Sequence, residues 1–272
     1  MKLAWIGFSD PKLDFWEKAE ALAKMGYRGM ENATELQEGK LEENVKRFHD
    51  LGLEVLTING GFHDGKGYFD RDTALKNIQE NVKLAKAVKT NRVTFWVNAE
   101  VSNRFHQRPT CYDDLMRDID VMNKAIEIYA SEGITVAYHN HYQEFAYCYN
   151  NVPIIYHMLL NCDPRLKLVL DVGWAAFSGE DPVKMIERFS SRIASLHLKD
   201  MRYRDRPHIL KDFPGCFTSL GTGVVPIHDC LKKAKELELP WAVVEQDTLN
   251  RLDTLDSLRS AYYQVKESGA LD

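Results

Sequence analysis

A (β/α)8 barrel in a single domain spanning residues 1–272 is the fold this sequence predicts. Three observations carry that expectation. Short apolar runs alternate eight times with amphipathic helical stripes. The runs are continuously apolar rather than strictly alternating, which implies a parallel sheet buried on both faces. Eight such pairs fill about 250 residues, the usual size of a closed barrel. The chain has 272 residues and is 44% hydrophobic, enough for a large core. No linker or change of composition divides it.

The elements follow in order. Leu3–Gly7 is the first strand, and Phe15, Trp16, Ala19, Leu22 and Ala23 form one helical stripe behind it. Tyr27–Glu31 is a weak second strand, with Leu41, Val45 and Phe48 marking its helix. Leu53–Ile58 is the third strand, ending at Asn59-Gly60-Gly61, and Leu75, Ile78, Val82 and Ala85 mark the next helix. Val93–Val97 is the fourth strand, before the longest stripe, Leu115 to Tyr129. Ile134–Tyr138 is the fifth, followed by a short helix from Pro153 to Leu160. Leu168–Asp171 is the sixth, and Asp181-Pro182 offers an N-cap and first-turn pair for the following helix. Ile193–Leu198 is the seventh strand. A long irregular stretch, Asp200–Val225, separates it from the helix of Ile227, Leu231 and Ala234. Trp241–Val244 is the eighth strand, closed by a helix from Leu252 to Val265. A doubly wound open sheet shares this alternation, but no GxGxxG follows the first strand to support a dinucleotide fold.

Composition narrows the partners. The net charge is −5, with both signs interleaved, which argues against nucleic acid. No run approaches a membrane span, and the apolar start is too short for a signal peptide before Asp10 and Pro11. Five scattered cysteines without a CxxC argue against a disulfide framework and point to the cytoplasm.

Four strand-like runs end on metal-ligand residue types. Ile134–Tyr138 leads to His139, His141 and Glu144. The runs before Asp171, His197 and Glu245 end on those residues themselves. Barrel active sites lie at the C-terminal strand ends. Glu144, Asp171, His197 and Glu245 would therefore meet at one mouth. Carboxylates directly after apolar strands start out buried and need a compensating charge, which a divalent cation supplies. Three carboxylates and one imidazole favour Mn²⁺, Mg²⁺ or Co²⁺, with Zn²⁺ also compatible. His49, His106, His157, His208 and His228 fall in helical or loop contexts. His63 follows the third strand. Arg202, Arg204, Arg206 and Lys211 form a basic cluster after the seventh, suited to a phosphate, a carboxylate or solvent. Trp5, Phe8, Trp96, Tyr138 and Trp174 are candidates to stack on a sugar or to pack the core.

The segments His139-Asn140-His141-Tyr142-Gln143-Glu144-Phe145, Leu170-Asp171-Val172-Gly173-Trp174, His197-Leu198-Lys199-Asp200 and Leu220-Gly221-Thr222-Gly223 resemble the sugar phosphate isomerase/epimerase superfamily. This is the xylose-isomerase-like TIM barrel group that includes inosose dehydratase, the ketose 3-epimerases and endonuclease IV. The resemblance implies one divalent metal on Glu144, Asp171, His197 and Glu245. It implies His141 as acid/base and Lys199 as a contact to substrate or intermediate. Glu144 or Glu245 would also move protons, as in the related epimerases, which carry the first glutamate on the strand itself, nearer His139. Endonuclease IV binds three zinc ions with many histidines, and the net charge of −5 and the few histidines at strand ends argue against DNA repair here.

The implied chemistry is removal of a proton next to a carbonyl, with the metal stabilising the enediolate. Reprotonation gives an epimer or an aldose–ketose isomer. Loss of a β-oxygen substituent gives a dehydratase or lyase. The expectation is a metal-dependent isomerase or epimerase of a sugar or keto-polyol, and a homo-oligomer, since such assemblies are common. The alternative is a lyase on a 3-keto-sugar, 3-keto-glycoside or inosose. A non-catalytic carbohydrate-binding subunit is a third reading.

Overall fold

Eight parallel strands close on themselves in this computed structural model, which describes residues 1–8, 10–60, 71–96, 111–203, 212, 215–249 and 252–271. They are β1 Lys2–Gly7, β2 Gly29–Glu31, β3 Glu54–Asn59, β4 Arg92–Phe95, β5 Thr135–His139, β6 Lys167–Asp171, β7 Ile193–Leu198 and β8 Trp241–Gln246. Each pairs in parallel with its sequence neighbours. β1 meets β8 from Lys2↔Trp241 to Gly7↔Gln246, which closes the barrel and removes the open-sheet alternative. The fourth strand ends at Phe95; the expected Val97 lies outside the described residues, as do His63, His106, Arg204, Arg206, His208 and Lys211.

The period of two along each strand sorts residues between two cores. Ala4, Leu56 and Val243 pack together inside the barrel, with Ile6 and Trp241 against them. Leu3, Trp5, Val55 and Val244 instead join the large core under the surrounding helices. Continuing the β8 inner face from Val243 places Glu245 at the mouth. The same step on β7 carries Ser195 to His197 and then Lys199.

Local signals set the helices. Asp14 caps Phe15–Met25 by accepting from the Trp16 and Glu17 amides. Asp181 caps Pro182–Phe189 through the Val183 and Lys184 amides, with the proline in the first turn as expected. Among the described residues, no helix is long and apolar enough to cross a membrane.

The stretch after β7 contains a small antiparallel pair, Asp200–Met201 with Phe217–Thr218. The buried carboxylate of Asp200 accepts from the backbone amides of Met201, Gly221, Gly223 and Val225 at 2.9–3.1 Å. Gly223 is required here, because a Cβ would lie 2.2 Å from Asp200 Oδ1. Leu220-Gly221-Thr222-Gly223 thus folds around a side chain at the exit of β7. Asp200→Ala leaves these amides without their acceptor, and a loss of about 2–4 kcal/mol in unfolding free energy is expected by chemical denaturation. A loss below about 1 kcal/mol would show that this anchor is dispensable.

Candidate metal centre at the barrel mouth

His139, Asp171, His197 and Glu245 converge at the C-terminal ends of β5, β6, β7 and β8. One donor atom from each lies within 4.8 Å of all the others. Three of the four are buried, and Glu245 is nearly so, with 12% of its side chain exposed.

Asp171 and His197 are each held by a distinct local device. Asp171 caps the helix Val172–Phe177, its Oδ1 accepting from the Trp174 amide at 2.8 Å. That leaves Oδ2 buried without a hydrogen bond and facing Lys199 Nζ at 3.6 Å. Asn140 ties the two strand exits together: its Oδ1 accepts from the Asp171 amide and its Nδ2 donates to the Asp171 carbonyl. Gly173 lets the helix start this close to β7, since a Cβ there would meet the Lys199 carbonyl at 2.6 Å. His197 is gripped from both sides. Nδ1 lies 2.6 Å from Glu245 Oε2, and Nε2 lies 2.8 Å from Glu31 Oε2.

The electrostatics follow from burial and these contacts. Burial, reinforced by the neighbouring His197 and His141, keeps His139 well below the usual imidazole range, so it is neutral and able to ligate. Burial pushes Asp171 up to about 7 against the pull of Lys199. Burial alone would lower His197, but Glu31 and Glu245 raise it to about 10. Burial alone would raise Glu245; Lys199 and His197 instead hold it well below the usual carboxylate range. Desolvation would likewise neutralise Lys199, yet Asp247, Glu245 and Asp171 keep it charged.

The donor set fits a divalent cation. His139 Nδ1 and Asp171 Oδ2 are both buried and without hydrogen-bond partners. Two carboxylates crowd two imidazoles and a lysine in a space where a cation would offset the negative charge.

The mouth also forms a cavity of about 210 Å³. Its lining includes His139, His141, His197, Glu245, Asp247 and, from the opposite half of the barrel, Asn32, Asn59 and Trp96. His141 stands beside the cluster, its ring centroid 4.7 Å from that of His139.

The xylose isomerase-like TIM barrel sequence profile matches residues 19–261. The chain belongs to this family. An inosose dehydratase of Clostridium tetani (strain Massachusetts / E88) is 29% identical over 183 residues, covering 61% of this chain and 59% of that protein. The chain spans about half the length of several curated relatives it matches. A sugar phosphate isomerase/epimerase from Parabacteroides distasonis superposes with a TM-score of 0.77 at 17% identity over 100% of both chains. The IOLI protein with a bound zinc atom gives 0.74 at 16% identity over 98% of each. At these identities the two structures bear on the fold alone.

Against the family's expected residues, the structure gathers Asp171, His197 and Glu245 but leaves Glu144 apart. Glu144 sits fully buried on the short helix Gln143–Ala146, one turn beyond the strand. Its Oε1 accepts from the Tyr138 hydroxyl at 2.8 Å and its Oε2 from the His141 amide at 2.7 Å. The fourth donor of the cluster is His139, on the strand itself. Lys199 Nζ is bound by Glu245 Oε1 and Asp247 Oδ2 at 2.9 and 3.0 Å and sits over the rings of Trp174 and Phe217. It is an internal counter-charge in this geometry.

Arg202 of the basic cluster turns to Asp212 and the Gly215 carbonyl. Trp96 lines the cavity, while Trp5 packs edge-on against Tyr27 and Phe48 in the outer core. Glu31, Asn140 and Asp247 have no site role assigned from the sequence. The inner-face period of β2 and the two-residue step from Glu245 to Asp247 could have found two of them.

Proposed function

We propose that this barrel is a metal-dependent lyase that removes the proton beside the carbonyl of a keto-sugar or keto-polyol and expels a β-oxygen substituent. The observation that carries the reading is the convergence of four donor side chains next to the His141 imidazole at the wall of one cavity. The inosose dehydratase relatives favour elimination over the isomerase or epimerase outcome that the superfamily resemblance placed first.

His139, Asp171, His197 and Glu245 would hold the cation. Two imidazoles with two carboxylates suit Zn²⁺, Co²⁺ or Mn²⁺ better than Mg²⁺, which prefers an all-oxygen shell. Once bound, the cation would act as a Lewis acid on a substrate carbonyl and acidify the adjacent C–H. The His141 imidazole takes that proton, a usual task for such a side chain. The same imidazolium returns it to the departing β-oxygen, so the C–O bond breaks as the new C=C bond forms. Glu144 holds the His141 backbone amide in place for this exchange. Lys199 keeps Glu245 ionised. The five cysteines are all free, in keeping with a cytoplasmic setting.

Isomerisation or epimerisation, the outcome that the superfamily resemblance placed first, is the second reading. It shares the first proton transfer and differs in what happens next. Metal-loaded and chelator-stripped protein incubated in D₂O with keto-inositols, ketoses and 3-keto-glycosides separates the two by NMR. The expected result is metal-dependent loss of a β-substituent. Deuterium beside the carbonyl without elimination would shift the assignment to epimerase or isomerase. Absence of both, with metal bound, would overturn the enzymatic reading.

A further inference from the structure

We propose that Glu31, from the opposite side of the barrel, is the positioning residue that presents His197 Nδ1 to the metal; this rests on the metal-site reading above. Glu31 ends β2, whereas His197 lies on β7, and the two are separated by 166 residues in sequence. Their contact crosses the barrel interior, and both side chains are 2% exposed.

The assignment follows from which nitrogen faces which group. His197 Nδ1 touches Glu245, a member of the donor cluster; Nε2 touches Glu31, which lies outside it. A carboxylate on Nε2 holds the proton there, leaving Nδ1 as the nitrogen with a lone pair for a cation. It also sets the plane of the ring, because Glu31 itself is fixed. Its Oε1 accepts from Arg92 Nη2 of β4 at 3.2 Å and from the Ser195 hydroxyl of β7 at 3.1 Å. Ser195 precedes His197 by two residues and shares its face, so β7 supplies both the ligand and a brace for the ligand's support. Arg92 brings the counter-charge that a carboxylate this deeply buried requires.

The test measures metal binding rather than turnover. Zn²⁺ affinity by chelator competition and the visible spectrum of the Co²⁺ protein are recorded for wild type, Glu31→Gln and the double variant Glu31→Gln/Arg92→Gln. The double variant avoids an unpaired buried guanidinium if the single variant folds poorly. Far-UV circular dichroism of the metal-free proteins checks the fold.

Loss of an orienting carboxylate is expected to weaken Zn²⁺ binding by about 10–100-fold and to alter the Co²⁺ bands. The double variant should regain stability but not affinity. A folded variant that binds Zn²⁺ within about two-fold of wild type, with an unchanged Co²⁺ spectrum, would remove Glu31 from this role, the threshold lying well below the usual support effect. If wild type itself binds neither ion, the metal-site reading fails instead, and the two failures are told apart.

Discussion

His141→Ala is expected to lower kcat by about 10²–10⁴-fold while leaving the bound-metal stoichiometry at the wild-type value. His141 lines the cavity but is not among the four clustered donors, so under the proposed reading its removal would take away the proton carrier and leave the ligands. Glu245→Ala makes the contrast. Glu245 belongs to the cluster and also contacts His197 and Lys199. Its loss is expected to reduce metal content and turnover together. Paired measurements of metal by elemental analysis and of kcat therefore separate the two roles. A His141→Ala enzyme with wild-type turnover would eliminate it as the base. Unaltered metal content in Glu245→Ala would remove Glu245 from the ligand set.

Metal affinity is expected to climb by at least about 100-fold between pH 6 and pH 8, because each displaced proton contributes up to ten-fold per pH unit. In the metal-free fold burial raises Asp171 to about 7, and the two glutamates flanking His197 raise it to about 10 despite burial. A cation must displace both protons, so binding tightens as pH increases. The metal-free fold should respond in the opposite sense. Both groups bind protons more tightly folded than unfolded. The stabilising contribution of His197 is complete below its ordinary value near 6.5 and is lost as pH rises through about 10. That of Asp171 is lost from its ordinary value of 3.8 through about 7. Chelator-treated protein is thus expected to melt at lower temperature at pH 9 than at pH 6, with the gap narrowed when metal is restored. Isothermal titration across this window reads the affinity directly. A flat or inverted pH dependence would show that Asp171 and His197 do not give up protons to the metal.

Much of this arrangement was legible in the residues. All eight strands fall where the apolar runs place them, with edges moved by one or two positions. The caps at Asp181 and Pro182 also follow from local chemistry. Asp171, His197 and Glu245 were readable as mouth residues because each directly follows the buried run of its strand. Glu144 was not decided this way. It lies five residues past His139, beyond the strand, where the chain turns into a short helix. That turn sends the Glu144 carboxylate to Tyr138 and the His141 amide, while His139, still on the strand's inner face, stays with the cluster. The clustered donor types are therefore two imidazoles and two carboxylates, where the sequence had suggested one imidazole and three carboxylates.

By itself the sequence determined the eight strand–helix pairs and which residues end the strands, since both depend on local periods: two for strands, 3.6 for helices. Closure through β1 and β8 was decided by the tertiary structure, because an open sheet satisfies the same local pattern. So were the contacts that cross the interior. Glu31 meets His197, and Lys199 meets Glu245 and Asp247, only once the strands have curled into a ring. No spacing along the chain encodes those meetings. They arise because charged groups sharing a buried space must find one another to be tolerated there.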